Sequence, residues 1–106
     1  MMSTDVFHAI AHPVRRQILD TLLVGEATVT DLTSPHQMSR PAVSQHLRVL
    51  REAGLVRERR SGRHRVYRIE LAPLVEVGDW LSNYDSFWQA RLSALGHFLE
   101  DRHGPA

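Results

Sequence analysis

Cysteine and lysine are both absent from this 106-residue chain. Without cysteine the chain has no disulfide and offers no thiolate to a metal ion, which excludes the cysteine-rich zinc modules. No apolar run approaches the ~20 residues that a membrane-spanning helix needs, so we predict no membrane span. The amino terminus shows neither the charged start nor the apolar core of a signal peptide, and we expect a cytoplasmic protein.

Catalytic signatures are missing as well. The chain has no glycine-rich phosphate loop and no serine, histidine and acid set that its predicted helices would bring into one pocket. We therefore predict that it is not an enzyme and that it uses no cofactor. Its length is that of one small domain, and we expect a single domain over residues 1–106.

Charge is distributed unevenly along the chain, although the formal net charge is only +1. Residues 1–35 hold two arginines and four acids, residues 36–68 hold nine arginines and two glutamates, and residues 69–106 hold two arginines and six acids. The three net charges are therefore −2, +7 and −4. All 13 basic residues are arginine, whose planar guanidinium matches phosphates and guanine edges better than lysine does. This asymmetry predicts a polyanion as the partner of the basic third.

A short helix is predicted just before the basic third. Thr28 and Asp31 have the spacing of a capping box with aspartate in place of glutamate, so Thr28 can cap the first turn. Pro35 removes a backbone donor and disfavours helical geometry at the residue before it. We therefore expect this helix to span only residues 29–34.

A second helix is predicted over about residues 40–53, in the stretch SRPAVSQHLRVLREAGLV. We expect Ser39 to cap it and Gly54 to end it in the left-handed C′ conformation. Its apolar face has helical spacing and consists of Val43, Leu47 and Leu50. Two helices joined by so short a connection are typical of a helix-turn-helix, whose second helix enters the major groove of DNA.

An arginine-rich hairpin is predicted to follow, over about residues 55–70. Two extended runs, 55–60 and 63–70, flank Ser61–Gly62, where glycine favours a tight turn. Its six arginines repel one another unless an anion lies between them. A hairpin in this position indicates a wing whose arginines bind DNA phosphates or enter the minor groove.

The candidate DNA contacts lie on the polar face of the second helix and along the wing. Ser44 and Gln45 are placed to reach base edges, since glutamine pairs well with adenine and serine with several bases. Arg40 and Arg48 can bind phosphates or guanine. His46 shares the buried face, and we expect a hydrogen-bonded structural histidine there. The predicted DNA-binding residues are Ser39, Arg40, Pro41, Ser44, Gln45, Arg48, Arg59, Arg60, Arg63, His64 and Arg65.

One long helix is predicted near the carboxyl terminus, over about residues 73–102. Apolar residues recur along it at spacings of three and four, and a second apolar stripe runs beside the first. Two stripes on one helix present more apolar surface than a domain of this size can cover. We therefore expect a second copy of the chain to bury them.

Three segments together resemble the ArsR-type (arsenical-resistance repressor) winged helix-turn-helix family of prokaryotic transcription regulators: FHAIAHPVRRQILDTLL, SRPAVSQHLRVLREAGLV and RRSGRHRVYRI. The resemblance spans about residues 5–100. It implies a mostly α fold with a small β-hairpin, a homodimer formed by the first and last helices, and a repressor that binds double-stranded DNA at an inverted-repeat operator, often its own promoter. The dimer-interface residues predicted on this basis are Phe7, Leu74, Val77, Trp80, Leu81, Tyr84, Phe87, Trp88, Leu92 and Leu95.

The metal sites of this family are incomplete in the chain. Many relatives have a Cys-Val-Cys-Asp-Leu run on the third helix, but residues 28–32 here read TVTDL, and threonine hydroxyls are poor ligands for soft metals. On the last helix only His97 and Glu100 have a chelating spacing, and His8 and His12 lie at i and i+4. We predict no metal site, and the sequence names no effector. Two alternatives stay open: a metal-responsive repressor with histidine and carboxylate ligands, and a winged-helix protein-interaction module.

Overall fold

A computed structural model of the protein describes residues 5–36 and 38–102. The predicted class, mostly α with a small β-hairpin, is confirmed in this part of the chain. The helices and strands, in chain order, are α1 (Val6–Ile10), α2 (Pro13–Val24), β1 (Ala27–Thr28), α3 (Val29–His36), α4 (Arg40–Glu52), β2 (Val56–Ser61), β3 (His64–Ile69), α5 (Leu74–Ser82) and α6 (Asp85–Arg102).

Side-chain caps fix where the first two helices begin. The Asp5 carboxylate accepts a hydrogen bond from the His8 N–H at 2.7 Å and caps α1. His12 Nδ1 accepts from the Val14 N–H at 3.1 Å and caps α2, with Pro13 in the first turn. His12 therefore lies outside α1, so it does not continue the helix of His8 as a chelating pair at i and i+4 would require.

The predicted capping box begins α3. The Asp31 N–H donates to Thr28 Oγ1 at 3.1 Å, and the Thr28 N–H donates back to the Asp31 carboxylate at 3.0 Å. The hydrogen bond from the Thr28 backbone holds the pKa of Asp31 below its ordinary value. The prediction that Pro35 confines this helix to residues 29–34 is wrong, because α3 continues to His36. Pro35 lies in the last turn, where its missing N–H removes only one hydrogen bond.

The core lies between the first four helices and the inner face of the sheet. Its largest fully buried side chains are Ile18, Leu32, Val43, Leu47, Leu50, Leu55 and Val56. Leu23 of α2, by contrast, is 63% exposed. Ile18 and Leu22 point into the core and Leu19 lies at its edge, so Leu23 lies one step further around the helix, towards solvent.

A buried arginine connects α1, α2 and α4. Arg15 Nε donates to the Ala9 carbonyl at 2.7 Å, and Nη2 donates to the His8 carbonyl at 3.1 Å. Its Nη1 lies 3.3 Å from His46 Nδ1, and the His46 ring is 4.5 Å, centroid to centroid, from the ring of His12. Because arginine can only donate, His46 Nδ1 must carry a lone pair for this hydrogen bond. The expectation of a hydrogen-bonded structural histidine is confirmed.

The three strands form an antiparallel sheet in the order β1-β3-β2. Ser61 pairs with His64, so the hairpin turn consists of Gly62 and Arg63 and not of Ser61–Gly62 as predicted. Gly62 has a φ of +63°, which suits the first position of a two-residue turn. No sequence pattern predicted β1, because a two-residue strand is too short to show alternation.

The predicted single helix over residues 73–102 is wrong, because the chain turns at Asn83–Tyr84 between α5 and α6. The two turn N–H groups donate to the carbonyls of Trp80 and Leu81, three residues back, at 3.2 and 2.9 Å. Bonds of this i→i−3 type tighten and end a helix. Ser82 and asparagine favour such an end, because their side chains compete for backbone hydrogen bonds.

The last helix projects away from the rest of the molecule. The radius of gyration is 18.9 Å, against about 13 Å for a compact chain of this length. α5 packs on α1, where the rings of Phe7 and Trp80 meet edge to face at 5.7 Å, and Leu74 and Val77 pack against the core. Beyond them lies a set of exposed apolar residues, here called the apolar surface: Trp80, Leu81, Tyr84, Phe87, Trp88, Leu92, Leu95, Phe98 and Leu99. None of the described helices combines the length and apolarity that a bilayer span requires.

The environment of His46 predicts a pH-dependent stability. Burial, followed by the charges of His12 and Arg15, lowers the pKa of His46 from its ordinary value of 6.5. The unfolded chain therefore binds a proton at a higher pH than the folded one, and the free energy of unfolding should fall as the pH drops below about 6.5. Urea denaturation at fixed protein concentration, from about pH 7.5 to about pH 5, measures this fall.

His46→Gln should reduce the pH dependence, whereas His97→Gln on the projecting α6 should leave it as in the wild type. An equal slope of unfolding free energy against pH in the wild type and in His46→Gln would contradict the assignment.

Candidate nucleic-acid interface

Burial of one side of α4 decides which side chains face outward. Ser39 Oγ accepts a hydrogen bond from the Ala42 N–H at 3.2 Å and caps the helix, as predicted. Val43, Leu47 and Leu50 are buried, as the spacing predicts. The opposite face is exposed and carries Pro41, Ser44, Gln45 and Arg48.

The end of α4 determines where the wing starts. The Leu55 N–H donates to the Leu50 carbonyl and the Gly54 N–H to the Arg51 carbonyl, both at 2.9 Å, which is the Schellman pattern. Gly54 has a φ of +78°, and a Cβ there would lie 3.4 Å from Pro73 Cγ. Leu55 is fully buried against the core. These contacts send the chain directly from α4 into β2.

A groove with a volume of about 530 Å³ lies between α4, the start of α3 and the tip of the wing. It is here called the basic groove. Eight of the eleven predicted DNA-binding residues line it: Arg40, Pro41, Ser44, Gln45, Arg48, Arg63, His64 and Arg65. Five further lining residues were not among those predicted to bind DNA: Thr28, Val29, Thr30, Arg51 and Tyr67. Arg51 follows Arg48 by three residues on one helix face, a spacing that could have placed it in the set.

Three predicted DNA-binding residues, Ser39, Arg59 and Arg60, do not line the basic groove. The Ser39 hydroxyl is used in the cap of α4. Arg59 Nη2 lies 2.7 Å from Glu26 Oε1. In the strand register, Arg60 on β2 lies opposite Arg65 on β3. Since side chains alternate along a strand, Arg59 faces the opposite side of the sheet from its neighbours in β2.

Carboxylates hold several arginines of the interface in place. Arg48 pairs with Glu52 at 3.2 Å on the exposed side of α4. Arg51 and Arg65 both reach Glu58, at 3.0 and 3.1 Å. Arg40 Nη1 donates to Thr30 Oγ1 at 2.5 Å, which connects α4 with α3. Arg48, Arg51 and Arg65 thus each have a carboxylate partner, and Arg40 has a hydroxyl partner.

Metal-ligand clusters are not found in the described residues. In residues 5–36 and 38–102, no three histidine, aspartate or glutamate side chains group closely enough to hold an ion. On the surface around the basic groove, a polar helix face lies beside an arginine-rich hairpin. Such an arrangement is typical of winged-helix DNA-binding proteins.

Comparisons with known proteins agree with this class. Residues 12–58 match the family model "Bacterial regulatory protein, arsR family". The transcriptional repressor SdpR of Bacillus subtilis is 34% identical over 80 residues, which are 76% of this chain and 89% of that protein. The HTH-type transcriptional regulator Rv2034 of Mycobacterium tuberculosis is 35% identical over 94 residues, covering 89% of this chain and 85% of that protein.

Solved structures agree as well. An ArsR-like transcriptional regulator from Rhodococcus sp. RHA1 superposes with a TM-score of 0.70 and 30% identity, covering 91% of this chain and 88% of the other. The predicted winged helix-turn-helix fold is thereby confirmed. The chain belongs to the ArsR family of bacterial regulatory proteins. It is a DNA-binding transcriptional repressor and not an enzyme.

The geometry separates the roles of two serines of this interface. Ser39→Ala removes the cap of α4 and should lower the free energy of unfolding by about 1 kcal/mol. Ser44→Ala removes an exposed hydroxyl that faces the basic groove and should change that free energy by less than about 0.5 kcal/mol. Ser39→Asp, which can still cap, should stay close to the wild type. Chemical denaturation of the three variants measures the difference, and equal losses for the two alanine variants would refute it.

Proposed function

We propose that the chain represses transcription as a homodimer on an inverted-repeat operator, by excluding polymerase from the promoter to which it binds. It acts on nucleoid DNA in the cytoplasm. The observation that carries the proposal is the single basic groove, in which base-reading side chains of α4 and arginines of the wing face the same space. The operator can include its own promoter.

Each part of the groove has its own role in this proposal. Ser44 and Gln45 lie on the exposed face of α4 and read base edges in the major groove. Arg40 and Arg48 bind phosphates or guanine from the same helix. Arg63, His64 and Arg65 bind the backbone or the minor groove from the wing. Arg60 lies on the hairpin outside the groove, and Arg59 faces the other side of the sheet.

The dimer is proposed from what the single chain leaves uncovered. Of the predicted interface residues, Phe7, Leu74 and Val77 already pack within the chain. The remaining seven are exposed and belong to the apolar surface on α5 and α6. A soluble monomer rarely exposes a contiguous apolar area of this kind. A two-fold axis through this surface gives two copies of the basic groove, which would read half-sites about 34 Å apart.

Selection of bound duplexes from a random pool tests the whole proposal. An enriched inverted repeat, found again upstream of the gene, is the expected result. Enrichment of no sequence would overturn it and would favour the protein-interaction module. Addition of Zn²⁺, Ni²⁺ or Cu²⁺ to the complex tests the metal-responsive alternative, which release of the DNA would support.

Two substitutions separate base reading from backbone binding. Gln45→Ala should relax discrimination at one base position of each half-site, at a cost of about 1–3 kcal/mol for the preferred base. Arg63→Ala should weaken binding to every duplex and make the salt dependence shallower than the log–log slope of about −7 that about eight neutralised phosphates give. Fluorescence anisotropy on operator and random duplexes measures both. Equal losses of Gln45→Ala on the two duplexes would refute its assigned role.

A charge in the apolar surface tests the dimer. Leu92→Glu should yield a monomer by sedimentation velocity and should abolish operator binding, because an unpaired carboxylate is costly to bury. Val24→Glu is the matched control, since Val24 is an exposed apolar residue of α2 outside this surface. A Leu92→Glu protein that sediments as the wild type does would disprove the assigned interface.

A further inference from the structure

A single carboxylate connects α4 with the wing. Glu58 Oε1 lies 3.0 Å from Arg51 Nη1, in the last turn of α4, and 3.1 Å from Arg65 Nη1, on β3. Glu58 itself lies on β2. Its two partners both line the basic groove. One oxygen atom thus holds together the two elements whose relative position defines that groove.

The surroundings of Glu58 keep this carboxylate charged and in place. Its side chain is only 23% exposed, and Tyr67 lies opposite it in the sheet register. Hydrogen bonding from the Tyr67 hydroxyl, with help from Arg51 and Arg65, lowers the pKa of Glu58. Burial and then this same contact raise the pKa of Tyr67 to about 12. Glu58 Oε2 is buried and has no partner in regular hydrogen-bond geometry among the described residues.

Two other arginine–glutamate pairs of the described residues differ from this one. Arg48 and Glu52 both lie on α4. Arg57 and Glu70 are at the base of the hairpin, 3.5 Å apart, and the Arg57 side chain is largely exposed. Exposed pairs of this kind contribute little to stability. The ion pairs of Glu58 reach two arginines and join α4 to the sheet.

We propose that Glu58 is a positioning residue for DNA recognition, which holds the wing against α4 so that the bases and the backbone are contacted together. The proposal rests on the DNA-binding role of the basic groove. For the removal of Glu58, it predicts a change in DNA binding opposite to the one that charge repulsion alone would give. A carboxylate near DNA repels phosphates, so removing it would strengthen binding if charge alone mattered. If Glu58 positions the wing, removing it weakens binding to the operator.

Two substitutions of Glu58 separate these effects. Glu58→Gln keeps the size and removes the charge, and we expect about tenfold weaker binding to the selected operator, with a smaller loss on random duplex. Glu58→Asp keeps the charge but is one methylene shorter, and we expect weaker operator binding here too. Glu26→Gln is the matched control, because it removes one carboxylate from the exposed Arg59 pair and leaves the junction intact. It should bind at least as well as the wild type.

A distance measurement tests the positioning without DNA. Since the chain has no cysteine, spin labels on Ser44→Cys and Ser61→Cys would report the spacing between α4 and the wing. Labelled protein is diluted into unlabelled protein so that a dimer carries one labelled copy. The distance distribution should be narrow in the wild type and in Glu26→Gln, and broader in Glu58→Gln and Glu58→Asp.

Some outcomes would overturn the proposal. These are tighter binding of Glu58→Gln to both duplexes, wild-type binding by Glu58→Asp, or unchanged label distances in both. If Glu58→Gln does not fold by circular dichroism, Glu58→Asp and Tyr67→Phe carry the test, and Tyr67→Phe should show a smaller loss in the same direction. Failure of the wild type to bind any duplex would refute the proposed function instead, which the label distances do not depend on.

Discussion

The burial of one side of α4 is the constraint on which the interface depends. Val43, Leu47 and Leu50 have almost no exposed surface, so the helix cannot rotate about its axis without bringing polar residues into the core. Ser44 and Gln45 are thereby held outward by residues that never contact DNA. The caps at both ends of α4 add a fixed length and a fixed exit, which leads directly into the wing. The exposed polar face of α4 is thus positioned by hydrophobic packing and oriented by backbone hydrogen bonds.

Charge is organised by a second, weaker set of contacts. A cluster of arginines is unfavourable until an anion approaches, and the chain reduces that repulsion with glutamates. Most of these pairs are exposed, so phosphates can replace the carboxylates at little cost. The Glu58 carboxylate is less exposed than those of Glu26, Glu52 and Glu70, and its pairs connect α4 with the sheet. Removing this carboxylate should therefore disturb more than one element. We therefore assign Arg65 two roles, since it lines the basic groove and also holds the wing against α4 through Glu58.

Sequence patterns predicted α4 well because its determinants are local. Ser39, the buried stripe and Gly54 all lie within a few residues of the helix they define, and each has one stable role. The prediction of helix ends failed where the same residue type can either end a helix or lie within it. Pro35 was expected to end a helix that in fact tolerates it in the last turn. The faces of the wing were ambiguous because arginines alternate with arginines, so only the register shows that Arg59 lies away from the groove.

The break between α5 and α6 was hidden for a different reason, and it bears on assembly. The spacing of apolar residues continues across Asn83–Tyr84, so periodicity alone predicts one helix. The backbone hydrogen bonds there nevertheless change to the i→i−3 type. α5 has a partner within the chain, because it packs on α1 through Phe7 and Trp80. α6 has no comparable packing in the described part of the chain, and its Leu92, Leu95 and Leu99 side chains are exposed. A turn lets α5 follow the core while α6 takes its direction from the proposed second copy. The position of the two grooves relative to each other then depends on this turn, and so does the operator spacing that the dimer can read.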